Sequence, residues 1–278
     1  MSKNEKYLQI LILALLSIVL LEFYLLQIKY SSSKSFNKSS QYPEVSSINT
    51  QYSTHNDNTN LFRQIALKHG TDKVTTHHYE YVYGQLVGPI RNEKLNFLEI
   101  GLGCGMPYGP GKSIPVWKEF MPNANISVLE FNEVCARSFQ NKVTHLYVGD
   151  QSDLNLMKRI GEMSGGVLDL VVDDGGHTRK QQINSLIGLW PFIRKNGGIY
   201  IIEDIFTSFL HSFNDNSQQS SLDIIIELIV ILNNPTMAGF TPPYLYPASV
   251  VISEQALIIS KELASVNCFE RACALIKK

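Results

Sequence analysis

Leu98-Glu99-Ile100-Gly101-Leu102-Gly103-Cys104-Gly105 closes a short apolar run with glycines at three alternate positions. Glycine permits the tight turn and the close backbone approach that a bound ligand needs after a strand. A dinucleotide-binding turn wants Gly-x-Gly-x-x-Gly, and the spacing here is Gly-x-Gly-x-Gly. Further on, Gly111-Lys112-Ser113 has the end of a phosphate-binding loop, but Met106 stands where that loop requires glycine. The stretch therefore reads as a cofactor loop of another kind, placed between a strand and the helix that follows.

Working outward, strand-length apolar runs alternate with helix-length segments, the pattern of a parallel sheet with crossover helices. Strands are expected at Asn96–Ile100, Ile126–Phe131, Thr144–Val148, Val167–Asp173 and Gly198–Asp204. Helices are expected at Ser113–Phe120, Val134–Asn141, Leu154–Met163, Thr178–Phe192 and Leu222–Leu232. The runs Ser249–Ile252 and Ala256–Ser260 are read as a terminal antiparallel hairpin. Ligands of such sheets sit outside the carboxyl ends of the strands, and acids gather there. Glu130 ends the second strand where a ribose-binding carboxylate belongs, and Asp150 with Gln151 follows the third, where an adenine amino group could be met or a helix capped. Asp173-Asp174-Gly175-Gly176-His177 ends the fourth, and Glu203-Asp204 ends the fifth. Adjacent acids at a buried strand end call for a counter-charge. Asp174, Glu203 and Asp204 would converge at one mouth, and hard carboxylate oxygens suit Mg²⁺. His177 lies in the same acidic loop, where an imidazole could take a proton from a substrate hydroxyl.

The chain has 278 residues, 44% of them hydrophobic, with 24 Lys plus Arg against 25 Asp plus Glu. That balance excludes a non-specific nucleic-acid binder and wholesale disorder. Residues 1–6 are a short tail, and Tyr7 to Ile28 is nearly all apolar. At about 1.5 Å per residue that run can cross a hydrocarbon core of about 30 Å, which predicts a single-pass transmembrane helix in a bilayer. Lysines flank it on both sides, so its orientation stays open. Residues 29–60 are rich in Ser, Asn, Gln and Thr and read as a flexible stalk, leaving 61–278 as the folded domain. Asn37-Lys38-Ser39 and Asn125-Ile126-Ser127 are glycosylation sequons too common to fix the topology. Cys104 and Cys135 read as small buried or loop residues, and Cys268 and Cys273 as small buried hydrophobes rather than a bonded pair.

Glu99-x-Gly101-x-Gly103-x-Gly105 resembles the first motif of class I S-adenosylmethionine-dependent methyltransferases, whose fold is a Rossmann-like seven-stranded sheet. From about Leu61 to about Phe209 the chain is similar to the macrocin and mycinamicin sugar O-methyltransferases, and to fungal hard-surface-induced-protein-type methyltransferases. The likeness is carried by Gly70-Thr71-Asp72-Lys73, His77-His78-Tyr79, the stretch from Leu98 to Gly111, Gly149-Asp150-Gln151, Asp173 to His177 and Gly197 to Asp204. It implies a cofactor site at Glu99, Gly101, Glu130, Asp150 and Asp173, with Gly103, Gly105 and Gln151 beside them and Thr71 and Asp72 near the pocket. It also implies Mg²⁺ at Asp174, Glu203 and Asp204, and a base at His177, assisted by Asp174. Gly176 departs from the antibiotic enzymes, which often have Ser there. The expected activity is methyl transfer to a hydroxyl of a sugar or small-molecule natural product, on an endomembrane protein. A cofactor-binding module without catalysis and a nicotinamide-dependent oxidoreductase stay open beside it, and oligomeric state is not legible.

Overall fold

The computed structural model describes residues 49–234 and 252–278, with side chains from residue 57 on. The apolar run 7–28, residues 29–48 of the polar stretch and residues 249–251 of the expected hairpin lie outside the described residues. Among the described residues no helix is long and apolar enough to cross a membrane.

Helix α1 spans Asn49–His69 and takes in residues 49–60, which the sequence places in the stalk. Its C-terminal half supplies the reason. Phe62, Ile65 and Ala66, at i, i+3 and i+4, are buried together on one face. Phe62 packs on Tyr83, Phe120 and Trp117 at centroid distances of 4.8, 5.1 and 5.7 Å. A helix anchored by such packing extends toward its N-terminus one hydrogen bond at a time, without a second nucleation.

Short helical turns follow at Asp72–Val74, Glu80–Val82, Tyr83–Val87 and Gly88–Ile90. The remaining chain alternates: β1 Asn96–Ile100, α2 Ser113–Phe120, β2 Asn125–Glu130, α3 Glu133–Arg137, β3 His145–Val148, α4 Leu154–Met163, β4 Leu170–Asp173, α5 Arg179–Leu189 and β5 Ile199–Ile202. Helices α6 Ser221–Leu232 and α7 Glu254–Ser260 precede the closing strands β6 Leu263–Cys268 and β7 Cys273–Lys277. The seven strands form one sheet in the order β3-β2-β1-β4-β5-β7-β6. β1 to β5 are parallel, and β7 pairs antiparallel with both β5 and β6.

β4 and β5 are buried at every position, as strands covered on both faces must be. Successive side chains alternate between two cores. Phe97, Val128, Leu170, Val172 and Ile201 join α1 and α2 on one face. Leu98, Leu129, Val171, Tyr200 and Ile202 meet α4, α5 and α6 on the other. β1 leads on to β2 on one side and β4 to β5 on the other, so the connections leaving their adjacent C-terminal ends diverge. That switch point is where open α/β sheets place ligands.

Two expectations fail here. Ala256–Ser260 is helical, started by Ser253, whose hydroxyl accepts the Ala256 amide at 3.2 Å; the hairpin is β6–β7 instead. All four cysteines are paired, Cys104 with Cys135 and Cys268 with Cys273. The spacing of five residues between Cys268 and Cys273 fits no helix face, but it fits a hairpin, in which the two are directly opposed.

Candidate active site

A cavity of about 600 Å³ opens at the C-terminal ends of β1, β2, β4 and β5. One wall is the loop after β1. Its first glycine, Gly101, sits at φ +98°, and a Cβ there would lie 2.1 Å from the Asp174 carbonyl oxygen. Only glycine lets the ends of β1 and β4 meet so closely. Gly103 also lines the cavity, whereas the exposed Gly105 lies outside the lining. Glu130 closes the wall: one carboxylate oxygen accepts the Leu102 amide at 2.9 Å and the other the Asn132 amide at 2.8 Å. Phe131 and Asn132 continue the lining.

Several residues expected at the cofactor support the cavity from behind. Glu99 is fully buried and accepts Ser113 Oγ and Trp117 Nε1, each at 2.8 Å, so it pins α2 beneath the loop. Burial pushes its acid up to about 7, against the pull of Lys73. Asp173 is fully buried, bonded by Gln151 Nε2 at 2.9 Å and by the Tyr200 hydroxyl at 3.2 Å, and burial raises it to about 6. Gln151 reaches the cavity and spends its carbonyl on the Gly176 amide at 2.8 Å. Asp150 turns to the Ser152 amide at 2.8 Å, while Asp153 caps α4. Thr71 is the buried cap of the turn Asp72–Val74, and Asp72 lines the cavity.

The opposite wall carries the acids. Asp174, His177 and Asp204 each present one ligand atom within 4.8 Å of the others. His177 Nε2 lies 3.8 Å from Asp174 Oδ1 and 3.5 Å from Asp204 Oδ2. His177 and Asp204 both hold left-handed backbone, at φ 60° and 51°. Such non-glycine strain persists where surrounding structure enforces it, often at reacting sites. The Thr207 hydroxyl steadies the loop by donating to the His177 carbonyl at 3.2 Å. Two carboxylates at the cavity mouth, with a histidine between them, suit a divalent cation bound by oxygen.

Glu203 is the exception in the expected metal set. It is buried, and both its oxygens lie 2.7 Å from Lys73 Nζ, with the Tyr83 hydroxyl also donating to it. Lys73 reaches Asp174 Oδ2 at 2.7 Å as well. Burial opposes the lysine charge, but Asp174 and Glu203 outweigh it and hold the ammonium well above its ordinary value. The counter-charge demanded by paired acids is thus partly supplied by the protein itself. Tyr79 donates to Asp204 Oδ1 at 2.6 Å, and His77 stacks on Tyr79 with Nδ1 3.4 Å from the same oxygen. Lys73, Tyr79 and Tyr83 went unassigned from sequence. The signal was their crowding between Gly70 and Tyr83 before any strand.

The sheet order and its cavity at the strand ends match the class I methyltransferase fold. The solved structure of MycE methyltransferase from the mycinamycin pathway, in complex with Mg, SAH and mycinamycin VI, superposes with a TM-score of 0.62 at 23% identity, over 78% of this chain and 54% of that one. In sequence the chain is similar to the 8-demethyl-8-alpha-L-rhamnosyl tetracenomycin-C 2'-O-methyltransferase of Streptomyces olivaceus, 29% identical over 182 residues, 63% of this chain and 47% of the relative. Demethylmacrocin O-methyltransferase of Streptomyces fradiae is likewise 29% identical, over 191 residues, 66% of this chain and 46% of the relative. The chain spans about half the length of these curated relatives. No protein-family model matches it. The resemblance to the sugar O-methyltransferases therefore stands, and its fungal side finds no support among these relatives.

Proposed function

We propose that the chain is an S-adenosylmethionine-dependent O-methyltransferase acting on a hydroxyl of a sugar or a glycosylated small molecule. The observation that carries the reading is His177 Nε2 facing Asp174 and Asp204 across the cavity mouth from the glycine loop. The named relatives methylate sugar hydroxyls of natural products, which supports the acceptor class.

Bound in the cavity, the cofactor would supply a methyl group on a sulfonium. Gly101, Gly103, Glu130 and Asn132 would receive its nucleoside end, and Asp72 would stand near the other. Asp174 and Asp204 would hold Mg²⁺, which supplies Lewis acidity toward an acceptor hydroxyl. His177 Nε2 would take the proton of the acceptor hydroxyl, whose oxygen would receive the methyl group while the sulfur keeps the bonding pair and leaves as a neutral thioether. Asp174 and Asp204 favour the imidazolium that results. In-line geometry does most of the remaining work, because charge is neutralised rather than created. Phe206, Thr207 and Phe213 line the acceptor side. The apolar run 7–28 would tether the domain to a membrane of the endomembrane system.

The test is methyl transfer from labelled S-adenosylmethionine to a panel of glycosides, with His177→Ala and Asp174→Ala as comparators. Turnover lost in both variants supports the reading, and full turnover in either contradicts it. Cofactor binding without turnover on any acceptor would favour the non-catalytic module.

A further inference from the structure

Cys104 lies inside the cofactor loop, between Gly103 and Gly105, and Cys135 lies in α3, directly beyond the cavity residues 130–132. The bond between them joins the two loops that form the nucleoside wall. Residues 105–108 are exposed, and a Cβ added at Gly105 would touch nothing within 4 Å. The first loop's non-covalent ties include the Glu130 carboxylate at the Leu102 amide, the Gly111 amide on the Leu102 carbonyl at 2.7 Å, the Met106 amide on the Gly103 carbonyl at 3.1 Å and a hydrogen bond between Tyr108 and Asp72. Asn132, which accepts the Cys135 amide at 3.1 Å, fixes the other anchor.

We infer that the Cys104–Cys135 disulfide positions the cofactor loop, so that cofactor affinity depends on its oxidation, and that the domain works in an oxidising compartment. The inference rests on the cofactor reading above. All four cysteines are paired, and the second pair, Cys268–Cys273, closes the β6–β7 hairpin without itself lining the cavity. Structural disulfides of this kind are rare where thiol systems keep the cytosol reduced. In maturation the Cys104 and Cys135 thiols lose two protons and two electrons as the sulfur–sulfur bond forms. A disulfide of an oxidised dithiol protein accepts the electrons and becomes two thiols. Dithiothreitol reverses the step, breaking the bond and closing into its own cyclic disulfide. Both cysteines are partly buried at the surface of the two loops.

The experiment uses the full chain isolated from microsomes. Thiols are alkylated before denaturation, and the 104–135 linkage is mapped by mass spectrometry. S-adenosylmethionine is then titrated into the oxidised chain, the dithiothreitol-treated chain, and the variants Cys104→Ser/Cys135→Ser and Cys268→Ser/Cys273→Ser. The expected result is an intact 104–135 linkage and cofactor binding weakened about tenfold or more, about 1.4 kcal/mol, in the reduced chain and in the first variant. The second variant keeps its affinity. Free thiols at 104 and 135, or affinity within about twofold across all forms, overturns the inference while leaving the cofactor reading intact. Should the first variant fail to fold, the reduced wild type, checked by tryptophan fluorescence, decides. An oxidised chain that binds no cofactor removes the cofactor reading, and this inference with it.

Discussion

Replacing Lys73 with Met removes the one cation that stands against Asp174 and Glu203 within hydrogen-bond reach. Its ammonium contacts three carboxylate oxygens at 2.7 Å, and its side chain is 3% exposed beside a Glu203 side chain 2% exposed. Met fills a similar volume and adds no polar atom, so packing against Trp117 and Tyr79 largely survives. What is lost is the compensation of the buried Glu203 and the half-buried Asp174, worth about 3–5 kcal/mol when one partner of a buried pair is removed. The loss depends on pH. In the variant, burial and mutual repulsion both push Glu203 upward with no cation to oppose them. A carboxyl raised in the folded state contributes stability that is present below its unfolded value and fades as pH rises through its folded value. The deficit is therefore largest under alkaline conditions and narrows toward pH 5. Urea unfolding followed by tryptophan fluorescence measures it, and Trp117, 5.9 Å from the lysine, reports locally. A loss below about 1 kcal/mol that is constant with pH would refute the reasoning.

Three further outcomes follow from the same geometry. His177→Ala is expected to lower turnover by about 10²–10⁴-fold with cofactor affinity unchanged, read by labelled methyl transfer beside calorimetry. Glu99 is raised from 4.5 to about 7 by burial, so its contribution to stability is lost as pH climbs between those values. Glu99→Gln should flatten that part of the melting-temperature profile, and an unchanged profile would count against the assignment. Gly101→Ala forces a Cβ to 2.1 Å from a backbone oxygen at φ +98°, and is expected to cost about 1–3 kcal/mol or more and abolish cofactor binding.

β1, β2, β4 and β5 were legible in the sequence because strands buried on both faces are written as nearly continuous apolar runs, as in Ile199-Tyr200-Ile201-Ile202, while the edge strand β3, half exposed, was read from its alternation with the helices. The acids at their ends were legible because a carboxylate beside such a run needs a special reason. How those acids divide their partners was not. Glu203 and Asp204 are neighbours, yet one turns inward to Lys73 and the other outward to His177, a division decided by a lysine 130 residues away. Glu99 shows the same limit: its partners on α2, Ser113 and Trp117, put it behind the wall. The N-terminal half of α1 and the β6–β7 hairpin lacked strong periodicity, and tertiary packing settled both. The Cys268–Cys273 pair depended on that hairpin, so misplacing one element hid the other.

The most direct test of the account is calorimetric titration of S-adenosylmethionine into the detergent-solubilised full chain, with and without Mg²⁺, beside a nicotinamide dinucleotide control. Saturable one-site binding of S-adenosylmethionine, with no response to the dinucleotide, is the predicted result. A folded chain that binds the dinucleotide, or binds neither, contradicts the methyltransferase reading.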